Sequence, residues 1–166
     1  MKLGLQGALA ATVLIFAPAG DGAWARGPAE QGMTAAEISD WLRGQGLSAE
    51  VRDDPTNPGQ EVVRSSADGV GFNIYLYGCD ARRAARRRCS SIQYAAGWTS
   101  AGLSAERINR WDREARFVRA YVTPKGGVFV EFDLDLAPGQ DRAALDQSLQ
   151  RWRSAVSRFR AAYRLP

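Results

Sequence analysis

Two hydrophobic periods alternate along this chain. From Thr34 to Leu42, and again from Asp141 to Tyr163, apolar residues recur at steps of three and four, the spacing that lines one face of an α-helix. Between about residues 48 and 98 the repeat is two, the spacing of strands with one buried face. The order reads helix, several antiparallel strands, helix, hairpin, helix. That is an α+β fold, an antiparallel β-sheet packed against N-terminal, middle and C-terminal helices.

The helix ends are written in the sequence. Thr34-Ala35-Ala36-Glu37 is a capping box, Ile38, Trp41 and Leu42 form the stripe behind it, and Gly44 and Gly46 end the helix. Ser104 caps a second helix with Ile108 and Trp111 on one side. In the last helix Leu145, Leu149, Trp152, Val156, Phe159 and Tyr163 form one stripe, whose bulky rings suit packing across a sheet better than a coiled-coil seam.

Residues 48–53 and 61–66 read as strands around the turn-rich Asp54-Pro55-Thr56-Asn57-Pro58-Gly59, and Asp68-Gly69 is a hairpin turn into a third strand, 70–78. If Cys79 faces Cys89 across an antiparallel pair, Leu76 falls opposite Ile92, Ile74 opposite Tyr94, Phe72 opposite Ala96 and Val70 opposite Trp98. The other face takes Tyr77 with Ser91, Tyr75 with Gln93 and Asn73 with Ala95. One register thus serves a Cys79–Cys89 disulfide and sorts both faces by polarity, which a slip of one residue would undo. A metal site is poorly served instead, because the chain has no histidine and no third cysteine.

A later hairpin is expected to turn at Lys125-Gly126, setting Thr123 opposite Val128, Tyr121 opposite Val130, Arg119 opposite Phe132 and Phe117 opposite Leu134, with Arg116 opposite Asp135 on the other face. That register leaves Arg119 among apolar residues, where it must snorkel, pair with a carboxylate or bind a ligand. Glu131, Asp133 and Asp135 share a face of the last strand. Residues i and i+2 stand ~7 Å apart on a strand, so the row reads as a solvated face partly paired with Arg116 rather than a calcium site. A hydrolase built on Glu131 and Asp133 would need both in a cleft.

The first residues follow the order of a secretory leader: Met1-Lys2, an apolar run from Leu3 to Ala17, Pro18 and Gly20, then Ala23-Trp24-Ala25. Cleavage after Ala25 and a periplasmic or secreted destination are expected, with 26–33 a flexible N-terminal segment and 34–166 the folded domain. An oxidising compartment agrees with the disulfide.

The formal net charge is +4, and apart from Lys2 and Lys125 the cations are all arginine. Arg82, Arg83, Arg86, Arg87 and Arg88 crowd between the cysteines, a candidate site for an acidic protein or an anionic envelope component. The alternative is a solvated loop neutralised by counterions. Nucleic acid is not expected, since no aromatic side chain is interleaved for base stacking. A serine triad lacks its histidine, no G-x-S-x-G elbow or glycine-rich phosphate loop occurs, and no cofactor is implied.

Phe72 to Cys79, Cys89-Ser90-Ser91-Ile92-Gln93-Tyr94, Ile108-Asn109-Arg110-Trp111-Asp112, Arg116-Phe117-Val118-Arg119-Ala120-Tyr121 and Glu131-Phe132-Asp133-Leu134-Asp135-Leu136 together resemble the YbjN family, over about Thr34 to Phe159. Members are described as sensory transduction regulators. Their fold is similar to that of type III secretion chaperones, which bind extended segments of partner proteins and commonly form homodimers. The resemblance implies a protein-binding, chaperone-like or regulatory module rather than an enzyme. This chain departs from it in its leader, its arginine-rich loop and Asp112, where the family often places asparagine.

Overall fold

Asp68 and Gly69 take φ values of 53° and 77°, the mirror-image turn whose twist matches two right-twisted strands. This turn belongs to a computed structural model that describes residues 32–81, 86–99, 102–136 and 142–166. The leader and its cleavage site, Arg82 and Arg83, and Asp141 lie outside the described residues.

The elements are α1 (Ala35–Gly44), β1 (Ala49–Asp53), β2 (Glu61–Ala67), β3 (Val70–Cys79), β4 (Cys89–Trp98), α2 (Ala105–Glu114), β5 (Arg119–Val122), β6 (Val128–Asp135) and α3 (Arg142–Tyr163). The strands form one antiparallel sheet in the order β1-β2-β3-β4-β6-β5. The α+β class expected from the two periods is therefore what the chain adopts.

Capping is as the sequence dictates: the Glu37 amide donates to Thr34 Oγ1 at 3.2 Å, and the Thr34 amide to Glu37 Oε2 at 2.9 Å. Ser104 caps α2. Ile38 and Leu42 of α1, Ile108 of α2 and the Leu145–Phe159 stripe of α3 join Phe72, Ile74, Ile92, Tyr94, Val128 and Val130 in one core on one side of the sheet. Trp152 packs on Tyr94 and Phe72, with ring centroids 5.5 and 5.9 Å away, so α3 crosses the centre of the sheet. Burial on this scale stabilises by roughly 1.5–3 kcal/mol per large side chain.

Strands β3 and β4 pair as expected from Asn73 opposite Ala95 through Ile74–Tyr94 and Leu76–Ile92 to Cys79 opposite Cys89, and the two cysteines are joined by a disulfide. Ahead of α1, Met33 exchanges two backbone hydrogen bonds with Cys89. Gly32 allows that approach, because a Cβ there would sit 2.2 Å from the Cys89 carbonyl oxygen.

The β5–β6 hairpin departs from expectation by one residue. Val122 pairs with Val128, Tyr121 with Phe129, Ala120 with Val130 and Arg119 with Glu131. The cause is the loop: the Thr123 carbonyl accepts from the Gly126 amide and the Thr123 amide donates to the Gly127 carbonyl, enclosing Pro124-Lys125-Gly126 with Gly126 at φ 79°. This is the three-residue loop closed by a left-handed glycine, for which Pro124 presets the first turn position. The slip reverses the strand's faces. Ala120 enters the core, Arg119 and Tyr121 move to the opposite face, and Arg116 and Phe117 precede the strand without partners in β6. Asp112 closes the outer edge of β5, accepting from the Ala120 amide at 2.9 Å, and so covers a backbone donor that an edge strand would expose.

Candidate functional site

The sheet has a second face, made by the alternate residues of each strand. It carries Arg64 of β2, Asn73, Tyr75 and Tyr77 of β3, Gln93, Ala95 and Gly97 of β4, Phe129, Glu131 and Asp133 of β6, and Arg119 and Tyr121 of β5. The helices pack on the other side, and Tyr77 and Tyr121 are 48% and 39% exposed here.

A belt of polar side chains runs across this face. Tyr77 Oη donates to Gln93 Oε1 (3.4 Å), and Gln93 Nε2 donates to Asp133 Oδ1 (2.8 Å). Asp133 lies 3.5 Å from Arg119 Nη1, and Arg119 Nη2 lies 2.7 Å from Glu131 Oε2, which also accepts from Arg119 Nε. Tyr121 Oη closes the belt on Glu131 Oε1 at 2.8 Å. The partly buried Tyr121 phenol is pushed up to about 12, first by loss of solvation and then by its bond to Glu131. Burial raises Tyr77 as well, with the Glu131 charge adding to it, and the hydrogen bond it donates to Glu131 holds the Arg119 guanidinium above its usual value.

Beside the belt is an aromatic platform. Phe129 lies flat over Gly97, where a Cβ would come within 2.5 Å of the ring, and Tyr121 stacks on Phe129 with centroids 5.6 Å apart at 12°. Next to it an open groove of about 990 Å³ runs between Asn73 and Tyr75 on one flank and Phe129 on the other, with Arg64 and Lys125 among its lining residues. Being open to solvent along the sheet, it differs from the enclosed cavity that buries a small molecule.

The arginine loop is arranged differently from an open cluster of charges. Arg87 Nη1 donates to the Gly59 carbonyl and to Gln60 Oε1, both at 2.9 Å, bracing the loop against the β1–β2 turn. Arg88 is only 17% exposed, pairs with Glu37 at 3.1 Å and donates to the Gly32 carbonyl at 2.9 Å, tying the disulfide to the cap of α1. Two of the five candidate arginines thus hold the fold together, Arg86 is exposed, and Arg82 and Arg83 lie outside the described residues.

Arg119 is not buried among apolar side chains; its side chain is 59% exposed and serves Glu131 and Asp133. The carboxylate row is not a solvated face paired with Arg116, since Glu131 is almost buried and its cation is Arg119. Neither Glu131 nor Asp133 lines the groove. Among the described residues no group of three or more histidine, cysteine, aspartate or glutamate side chains could hold a metal ion. Sequence reasoning missed the platform of Tyr121, Phe129 and Gly97, and the signal that places Tyr121 in it is Pro124-Lys125-Gly126, which sets the β5–β6 register.

A six-stranded antiparallel sheet with all three helices on one side and a polar and aromatic open face defines an α+β domain. A solved structure with the same fold is similar over 80% of this chain and 97% of its own, at 14% identity and a TM-score of 0.50; it is an uncharacterized protein from Methanothermobacter thermautotrophicus. A comparison with curated proteins found no match. Residues 34–164 match the family described as "YbjN: Putative bacterial sensory transduction regulator", and the chain belongs to the YbjN family.

Proposed function

We propose that this chain is an exported, non-enzymatic binding module that captures an extended segment of a partner protein on its open sheet face, in a regulatory or chaperone-like role. The observation that carries this reading is the aromatic platform of Tyr121 and Phe129 beside the open groove, bordered by a belt whose polar groups are already satisfied. The belt thus offers no unpaired charge to desolvate beside that apolar area. Family membership supports a regulatory class. The leader-like order of Met1 to Ala25 and the Cys79–Cys89 disulfide support export, because disulfides persist in oxidising compartments.

The test is affinity capture from a periplasmic extract with wild-type protein, Phe129→Ala and Arg86→Ala. Phe129→Ala is expected to lose the captured partners and Arg86→Ala to keep them. Identical partner lists from wild type and Phe129→Ala would remove the open face from the account. N-terminal sequencing of the natural protein tests export, with a new end at Arg26 expected. An intact Met1 end with free thiols would overturn it.

A further inference from the structure

On the helical side, one aromatic ring contradicts the burial of its kind. Phe72, Phe132 and Phe159 are buried, whereas Phe117 is 59% exposed. It also sits at φ 70°, a left-handed conformation that a bulky residue adopts only where the surroundings impose it. The left-handed residue turns the chain between α2 and β5 and points the ring away from the core.

Two cations hold that ring. The Arg116 guanidinium lies 5.3 Å from its centroid and that of Arg151, from α3, lies 4.9 Å away. Among the described residues neither arginine is in an ion pair, and Arg151 donates only to the neutral Gln147. Arg113, exposed at the end of α2, adds a third guanidinium to the same stretch of chain.

An apolar tip collared by unneutralised arginines matches a layer that offers anions at its surface and hydrocarbon just beneath. We propose that Phe117, with Arg116 and Arg151, docks this protein on the surface of an anionic phospholipid bilayer, the ring entering the acyl boundary and the guanidiniums meeting phosphate groups. The tip is a single side chain and its counter-charge is diffuse, which favours a headgroup layer over an acidic protein; the latter would need a pocket shaped to the ring. This inference is independent of the reading of the open sheet face, which lies on the other side of the sheet.

The experiment is co-sedimentation of the purified natural protein with vesicles of phosphatidylcholine alone or mixed with phosphatidylglycerol. All variants carry the same N-terminus, so differences between them report on the patch. Binding is expected only to the phosphatidylglycerol vesicles, fading as salt rises. Phe117→Gly is expected to weaken it by about tenfold, the loss of part of a buried phenylalanine's transfer free energy, while melting no lower than wild type, because glycine relieves the left-handed backbone. Arg116→Gln with Arg151→Gln is expected to abolish the lipid preference. Phe129→Ala, on the open face, is expected to leave vesicle binding unchanged. Equal sedimentation of wild type and Phe117→Gly would overturn the proposal. So would wild-type binding that is equal on both vesicle types, or that polyglutamate abolishes without any dependence on Phe117.

Discussion

Arg119 and Glu131 stand directly opposite each other across β5 and β6, with Nη2 and Oε2 2.7 Å apart, and the carboxylate's second oxygen is taken by Tyr121. The exposures of the two partners are unequal, 59% for the arginine side chain and 10% for the glutamate. The arginine therefore costs little to hold, and the cost of the site lies in keeping one carboxylate nearly out of water. Three donors reach it, two from Arg119 and one from Tyr121, which is how a buried carboxylate is made tolerable.

Glu131→Gln removes the charge that raises the Tyr121 phenol while keeping an acceptor near it. The Tyr121 pKa is expected to fall from about 12 toward the ordinary phenol value, remaining above it because loss of solvation is the larger cause. Ultraviolet titration of phenolate absorbance, with Tyr121→Phe identifying the signal, checks this. A curve identical to wild type would mean that the carboxylate does not reach the phenol in solution.

The long elements were legible because each is set by many residues at once. Six apolar positions fix the face of α3, and in β3–β4 two cysteines and alternating polarity agree on one register. The β5–β6 hairpin is different: β5 is four residues long, and Val118 before it with Ala120, Tyr121 and Val122 within it puts apolar side chains on both faces. There the turn decides, and one residue in the loop moved Arg119 from the core face to the open one. The candidate site inherited that error, since the belt exists only in the observed register. In the arginine loop the structural contacts were not legible, because composition does not show that the Gly32 and Gly59 carbonyls are placed to receive Arg88 and Arg87.

Gly97 is where the open face can be perturbed without touching the core. A Cβ there would lie 2.5 Å from the Phe129 ring, so Gly97→Ala is expected to lift the ring and spoil its stacking on Tyr121. Stability should fall by roughly 1–3 kcal/mol, as for overpacking elsewhere, with loss of the partners captured by wild type. Phe129→Leu in the same background, leaving a smaller and more adaptable side chain, should recover stability but not capture. Capture retained by Gly97→Ala would exclude the platform as the contact surface.

The Cys79–Cys89 bridge closes a short loop, for which the chain-entropy argument gives roughly 2.8 kcal/mol. Reduction, or the Cys79→Ser/Cys89→Ser pair, is expected to lower the unfolding free energy by that order, read as a lower denaturant midpoint, without abolishing folding, since β3 and β4 keep their ladder from Asn73–Ala95 to Tyr77–Ser91. Far-ultraviolet circular dichroism should stay near wild type before the transition. A disordered reduced protein would show that the register depends on the covalent link.

Tyr94 and Ser148 are the polar pair inside the core, with oxygens 2.9 Å apart, and Ser148 in turn donates to the Leu145 carbonyl at 2.7 Å. The serine proton is thus committed, and the tyrosine is the donor within the pair. Ser148→Ala strands a buried phenol hydroxyl and is expected to cost ~1–3 kcal/mol, whereas Tyr94→Phe removes the donor and leaves Ser148 its carbonyl bond, at about 1 kcal/mol or less. Burial raises the Tyr94 phenol well above its ordinary value, more than its contact with Ser148 lowers it. A phenol whose pKa is higher folded than unfolded contributes stability that is complete below about pH 10 and is lost as pH rises beyond it, at roughly 1.4 kcal/mol per unit. Tyr94→Phe, a little less stable at neutral pH, is therefore expected to lose stability less steeply above pH 10, so that its curve converges on that of wild type. Parallel curves through the alkaline range would show that Tyr94 is not the group that titrates on unfolding.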